Sequence, residues 1–408
     1  MFSMSGFMFR AGLATMTFDQ IRPLGILIAD YFFFLSLLSV LCAKERYLLK
    51  SRGSGVLAAG AIILCGALLA EPNATTIQML VLFGFFAPLA IVHARNLRPN
   101  LLAIIGGITI NCTTAILAAW VSPAIADILT VNPIWPTDAV QFAGRFGGLA
   151  GHPMILGLSA ALAVLLAIGL RSFEKRTYIR KFLLLQIIVC TLAAMLSGSR
   201  NFVACLVPAL LLLAFWRPLT WKVAAQTCAA VIGLLLAWNA INYVAADVVA
   251  SYTERLSKTS ADDPENSGRL LMAGVALEEI AQKPIWGWGM SHFGEAGMVY
   301  LPQDGDYMAA HVNLLQYWYA MGILGAIGFA LLFVMPVRRM LLILKEHHAD
   351  ISTKTLRLGV CVYLLLFIAS NLQPILLNRF LYMPLFLFAG LVAKQPAKHR
   401  DLALETKL

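Results

Sequence analysis

Long apolar stretches alternate with short polar connections along nearly the whole chain, and the stretches predict the elements. Apolar runs occupy about residues 22–42, 55–70, 75–93, 100–121, 153–170, 181–197, 201–216, 222–242, 312–336, 356–372 and 374–393. Most approach the roughly 20 residues an α-helix needs to cross a hydrocarbon core about 30 Å thick. In lipid every backbone polar group has to be satisfied within the protein, which a helix does within its own segment. The expected fold is an all-α polytopic membrane protein with about 11 transmembrane helices, within bounds of 10–12.

The expected organisation is an N-terminal segment at 1–21, helices one to eight at 22–242, a cap loop at 243–311, helices nine to eleven at 312–393 and a tail at 394–408. "MFSMSGFMFRAGLATMTFDQ" has no charged start, apolar run and small-residue cleavage site in sequence, so it does not read as a signal peptide. It is expected to lie loosely at the interface or to supply part of a twelfth span.

Composition agrees with the pattern. Of 408 residues 60% are hydrophobic and 13% charged, against roughly 25% charged in soluble domains. The net charge of +10 is scattered in short clusters between apolar runs, not gathered into a basic face, so nucleic acid is excluded as a partner and membrane lipid is expected. The seven cysteines lie in or beside apolar runs with no CxxC spacing, which argues against a disulfide framework or a zinc site.

Orientation follows from the connections. "AKERYLLKSRGS" (43–54), "RSFEKRTYIRK" (171–181), "RPLTWK" (217–222) and the region Arg338–Arg357 are basic, and they alternate with acidic or neutral connections near Glu71, at 122–152 and at 243–307. Basic loops stay cytoplasmic, so the C-terminal tail is expected in the cytoplasm and the other set of loops outside.

One outer connection is exceptional. Residues 243–307 hold ten acids against Arg255, Lys258, Arg269 and Lys283. Loops of this length are usually functional or disordered. This one contains a helical pattern, "GRLLMAGVALEEIAQK", and then the glycine and tryptophan turn "PIWGWG", and is expected to fold as a cap.

The candidate chemistry sits on the same side. Arg200 occupies a Gly/Ser reversal, "SGSRN", at the outer end of a span. It reads either as a snorkelling anchor or as half of an anion site shared with Ser197, Ser199 and the amides of the next helix. Arg269 is expected in the first turn of a helix opening near Ser267, where the dipole disfavours a cation unless an anion is bound; the competing reading pairs it with Glu265. His311 lies at the mouth of an apolar span with Asn313 and Gln316 nearby. It is either a polar anchor or the side chain best suited to take a proton near neutrality. Asn371, Gln373 and Arg379 are candidate polar contacts at the last outer turn, Arg379 also reading as a snorkelling residue.

These motifs, an S-x-S-R at a span boundary, S-G-R before a helix, "PIWGWGMSHF", then His311 and the glycine-spaced run "GILGAIG", resemble the O-antigen ligase and O-antigen polymerase superfamily of bacterial membrane glycosyltransferases. The resemblance covers roughly residues 140–335. It implies a glycosyltransferase-C-like architecture in the bacterial inner membrane with a periplasmic active site. The implied donor is a glycan on undecaprenyl diphosphate, and the implied acceptor is a hydroxyl of lipid A-core or of another glycan. Arg200 and Arg269 then match the arginines that hold the diphosphate, and His311 the histidine that acts on the acceptor. The chain departs from the family pattern in placing Val312 between His311 and Asn313, and Ala320 where an acid is common.

The chemistry is consistent without a cofactor or metal. Fixed guanidinium groups neutralise the leaving diphosphate, and attack from the opposite face inverts the anomeric centre. Ser199, Asn313, Arg145 and Arg379 complete the expected substrate contacts. Asp304-Gly305-Asp306 has a cation-binding spacing but reads as a turn. "GRFGGLAGHP" does not fit a phosphate loop and reads as the turn into the span at 153, with Arg145 and His152 as candidate edges of the donor groove. Ligase, polymerase and protein O-oligosaccharyltransferase share this donor chemistry, with a slight preference for ligase. A transporter, the alternative from another class, would place interrupted helices at mid-membrane in symmetry-related pairs.

Overall fold

The computed structural model describes residues 4–19, 21–23, 26–42, 55–70, 72, 74–122, 125, 141–142, 145–216, 264–289, 310, 312–346, 352–373 and 378–393. Among them the regular structure is helical apart from one short antiparallel pair, in which β1 (Gln141–Phe142) lies beside β2 (Arg145–Phe146). The helices are α1 (Met4–Thr15), α2 (Ile28–Cys42), α3 (Gly55–Leu69), α4 (Ala74–Met79), α5 (Ala87–His93), α6 (Leu97–Trp120), α7 (Pro153–Arg171) and α8 (Thr177–Leu196). They continue as α9 (Arg200–Phe215), α10 (Pro264–Gln282), α11 (Asn313–Glu346), α12 (Thr353–Leu372) and α13 (Arg379–Ala393). A π-helical segment, Leu80–Phe86, joins α4 to α5. Five helical stretches among the described residues are long and apolar enough to cross a membrane, the longest being Thr75–Trp120. The chain is a multi-pass helical membrane protein.

Ten of the eleven expected runs coincide with described helices, α4 and α5 together forming one; the run at 222–242 lies outside the described residues. The longer helices α7 and α13 and the short α5 are buried on nearly all faces, as expected for helices apolar all round. Other helices turn apolar side chains outward, as α8 does with Phe182, Leu185 and Ile188, the surface that lipid covers.

Side-chain bonds show which helix ends lie together. Arg357 at the start of α12 donates to the Trp216 carbonyl after α9, and Arg98 of α6 pairs with Glu174 after α7. These belong to the end with the basic connections. At the opposite end Gln373, just past α12, donates to Met154 Sδ at the start of α7 at 2.7 Å.

The N-terminal segment corrects its expectation. α1 is not loosely attached: Phe9, Leu13 and Met16 are buried, and it packs between α2 and α6. Gly107 of α6 makes this approach possible, since a Cβ there would meet the Ala14 carbonyl oxygen at 1.8 Å. Ser5 ties the helix down through His93 Nε2 at 3.0 Å and Ser36 Oγ at 3.1 Å. α11 also runs further than expected, to Glu346, so Arg338 and Arg339 stand on a helix and not in a loop.

Candidate functional site

Of the expected site residues, Ser199, Arg200, Asn313 and Arg379 stand on helix starts at the end of the bundle marked by Gln373 and Met154. α8 stops at Leu196 because Gly198 turns the chain with φ of +59°, a conformation that costs glycine little. Ser197 Oγ donates to the Ala194 carbonyl at 2.6 Å and accepts the Ser199 amide at 3.3 Å, closing the reversal. α9 begins at Arg200, half-buried, with Ser199 extended in the N-cap position.

Ser199 caps α9 without a side-chain bond to its amides. Its hydroxyl is buried and has no hydrogen-bond partner among the described residues. Gly157 of α7 faces it so closely that a Cβ there would lie 2.4 Å from Ser199 Cβ. An unspent buried hydroxyl next to an arginine at a helix N-terminus, where amides point outward without intrahelical partners, is a local arrangement suited to an anion.

The turn leading into α7 is buried. Gly148, with φ of +56°, and Ala150 pack on Asn111 of α6, whose Oδ1 accepts the Ala150 amide at 3.2 Å. Asn111 precedes Trp120, the last residue of α6, by nine positions, so the glycine-rich turn reaches about 13 Å below the end of that helix. His152 is the N-cap of α7, accepting the Met154 amide on Nδ1 at 3.2 Å, which gives it a capping role beside the groove reading. Arg145 lies in β2.

At the start of α11, Asn313 is fully buried and both its amide atoms lack partners among the described residues. Gln316 Oε1 accepts the Ala310 amide at 2.9 Å, fixing the chain immediately before His311. His311 itself lies outside the described residues, as do Asp304 and Asp306. One turn into α11, Tyr317 shares a 2.6 Å hydrogen bond with Tyr382 of α13. This bond registers Asn313 and Arg379, each one turn before its tyrosine, at the same end.

Arg379 differs from the snorkelling reading. It is buried and pairs with Asp30 of α2, Nε to Oδ1 at 3.0 Å and Nη2 to Oδ2 at 2.6 Å. Asp19, beside this pair, is pushed up to about 6, chiefly by burial, while Arg379, Arg22 and a hydrogen bond with Asn378 pull the other way. Asp30 went unremarked in the sequence, although an acid inside an apolar run is a signal in itself. Asn371 turns back onto the Phe367 carbonyl of its own helix.

α10 begins at Pro264, so Arg269 is its sixth residue and stands in the second turn, not the first. The dipole argument for an anion at Arg269 therefore weakens, because that effect fades within one turn. α10 joins the bundle through the turn after it. α11 is interrupted at Gly322, with φ of 65° and ψ of −162°. The segment Pro284–Gly289 fills the gap: Trp288 N–H donates to the Tyr319 carbonyl at 2.8 Å, Gly289 N–H to that of Ala320 at 3.0 Å, and Ile323 N–H to that of Ile285 at 3.3 Å.

The glycine-spaced run is thereby accounted for residue by residue. A Cβ on Gly322 would lie 1.8 Å from the Ile285 oxygen, one on Gly325 would lie 2.4 Å from the Tyr317 oxygen, and one on Gly328 would lie 2.6 Å from Ile63 of α3.

No group of three or more His, Cys, Asp or Glu side chains suited to a metal occurs among the described residues. Residues 184–330 match the family described as O-antigen ligase, in agreement with the resemblance to the ligase and polymerase superfamily. The matched stretch takes in Arg200, Arg269, the Pro284–Gly289 turn, His311 and Asn313, and leaves out Asp30 and Arg379. No curated protein matches the chain.

Proposed function

From a chain whose residues 184–330 fall in the O-antigen ligase family, we propose a periplasm-facing ligase that moves a glycan from undecaprenyl diphosphate to a hydroxyl of lipid A-core. The observation that carries this reading is the match itself, which spans the "SGSRN" turn and the start of α11. The turn's chemistry supports it, because Arg200 stands beside the unspent Ser199 hydroxyl.

The acceptor oxygen attacks the anomeric carbon as the bond from that carbon to the diphosphate oxygen breaks, and the electron pair leaves with the carrier. Arg200 and Arg269 neutralise charge that grows on the diphosphate, the kind of interaction that lowers a barrier because it strengthens in the transition state. His311 takes the acceptor proton. In-line attack inverts the anomeric centre. Asn313, with a donor and an acceptor both unspent, suits a sugar hydroxyl. The inner membrane is the site of action, with basic connections in the cytoplasm.

The test is glycan transfer by the purified protein from a synthetic undecaprenyl-diphosphate donor, offered lipid A-core or a second repeat unit. Transfer to lipid A-core supports the ligase. Chain extension alone would make the protein a polymerase, and no transfer to either acceptor would overturn the transferase reading.

A further inference from the structure

We propose that the Pro284–Gly289 turn and the break at Gly322 form a clasp that positions α10, and so Arg269, relative to the start of α11. The effect on transfer rests on the proposed transferase reading; the clasp itself does not.

In an unbroken helix the Ile323 amide would donate to the Tyr319 carbonyl. The backbone at Gly322 separates them, and inside a membrane bundle each group then requires another partner. The turn supplies both, through the Trp288 amide for Tyr319 and the Ile285 carbonyl for Ile323, and Gly289 serves the Ala320 carbonyl. Trp318 Nε1–H adds a bond to the Pro284 carbonyl at 3.0 Å. The break and the docked turn are therefore mutually dependent. Two glycines permit the approach: Gly287 has φ of +76° and a Cβ there would lie 2.5 Å from the Gly322 nitrogen.

The turn is fixed to α10 in the same way. Trp288 Nε1–H donates to the Glu279 carbonyl at 2.8 Å, and Lys283 Nζ stands 3.8 Å above the Trp288 ring. Met272, Val275, Ala276 and Ile280 form the buried face of α10. Arg269 precedes Glu279 by ten positions, about 15 Å along one helix. Asn313 precedes Gly322 by nine. A shift at the clasp is carried by two rigid helices to Arg269 on one side and to the start of α11 on the other. Gly287, Gly322 and Trp288 are positioning residues.

The experiment uses the full chain lacking its native cysteines, with Ile285→Cys and Ile323→Cys, both exposed positions, joined by a short bis-maleimide and read as a linked peptide by mass spectrometry. Linking with transfer retained is expected. Failure to link, or loss of transfer on linking, overturns a clasp closed throughout turnover. An inactive parent protein that still links would overturn the transferase reading alone. In the unlinked protein, Gly287→Ala is expected to lower transfer about 10²-fold, the order of loss that follows a displacement of about 1 Å. The donor KM should rise more than the acceptor KM. Trp288→Phe, which fills similar space without the indole N–H, should raise the donor KM in the same direction. Equal effects on both substrates, or transfer by both variants within twofold of the parent, overturn the positioning role.

Discussion

Arg379, the first residue of α13, grips Asp30 of α2 through two parallel hydrogen bonds across 349 positions of the chain. Removing one partner of a buried pair strands the other charge, at a cost of about 3–5 kcal/mol. Arg379→Met and Asp30→Asn are each expected to lower thermal stability in detergent by that order. The double variant should recover a large part of the loss. If the single variants unfold at the parent temperature, the pair does not hold α2 to α13. A double variant that is stable but transfers no glycan would assign Arg379 to substrate as well.

Arg200 is expected to act as a guanidinium fork and not merely as a positive charge. Lysine retains the charge and loses bidentate bonding to phosphate oxygens, so Arg200→Lys should fall nearly as far as Arg200→Ala, about 10²–10³-fold in rate. His311→Ala should stop transfer while leaving donor binding near its original level. Donor binding and transfer, measured separately at matched expression, decide the matter: normal values for Arg200→Ala would reduce the residue to an anchor. Transfer should also survive excess EDTA, and its abolition together with inactivity of Asp304→Asn or Asp306→Asn would bring a cation into the mechanism.

Sidedness is open to chemical labelling. In intact spheroplasts of a cysteine-free strain, a thiol at Ser260→Cys should react with a membrane-impermeant maleimide, and one at Arg176→Cys should not. The reverse pattern would put Arg200 on the cytoplasmic side and remove the periplasmic transferase.

Asp19 supplies a pH dependence with a definite sign. Its folded carboxyl, raised to about 6 mainly by burial among Arg22, Asp30, Arg379 and Asn378, keeps its proton where the unfolded chain, titrating near 4, has lost it. The folded state therefore binds the extra proton between about pH 4 and 6, and stability declines as pH rises through that window. Asp19→Asn should melt close to the parent at pH 4 and above it at pH 7.5. A difference between the two proteins that stays constant across this range would show that Asp19 does not titrate there.

Much of the fold was legible because lipid imposes a local rule. A backbone that must satisfy itself over about 20 residues leaves its mark in any window of that length, which is why runs such as 153–170 and 356–372 sit within a residue or a few of α7 and α12. Charge at short connections is equally local. The "SGSRN" reversal was legible for the same reason, since a Gly and four polar residues between apolar runs have few other conformations.

Tertiary structure decided what depends on partners distant in sequence. No window around Arg379 contains Asp30, so its guanidinium looked like a snorkelling group. No pattern within "MFSMSGFMFRAGLATMTFDQ" shows that Gly107 of α6 leaves room for α1. Small residues spaced along an apolar helix favour helix–helix packing, and Gly328 against Ile63 of α3 is that case, whereas Gly325 makes room for the Tyr317 carbonyl of its own helix. Gly322 has another use. Its main-chain partners come from a turn that ends thirty-three positions earlier at Gly289, and a backbone hydrogen bond leaves no side-chain signature at either end.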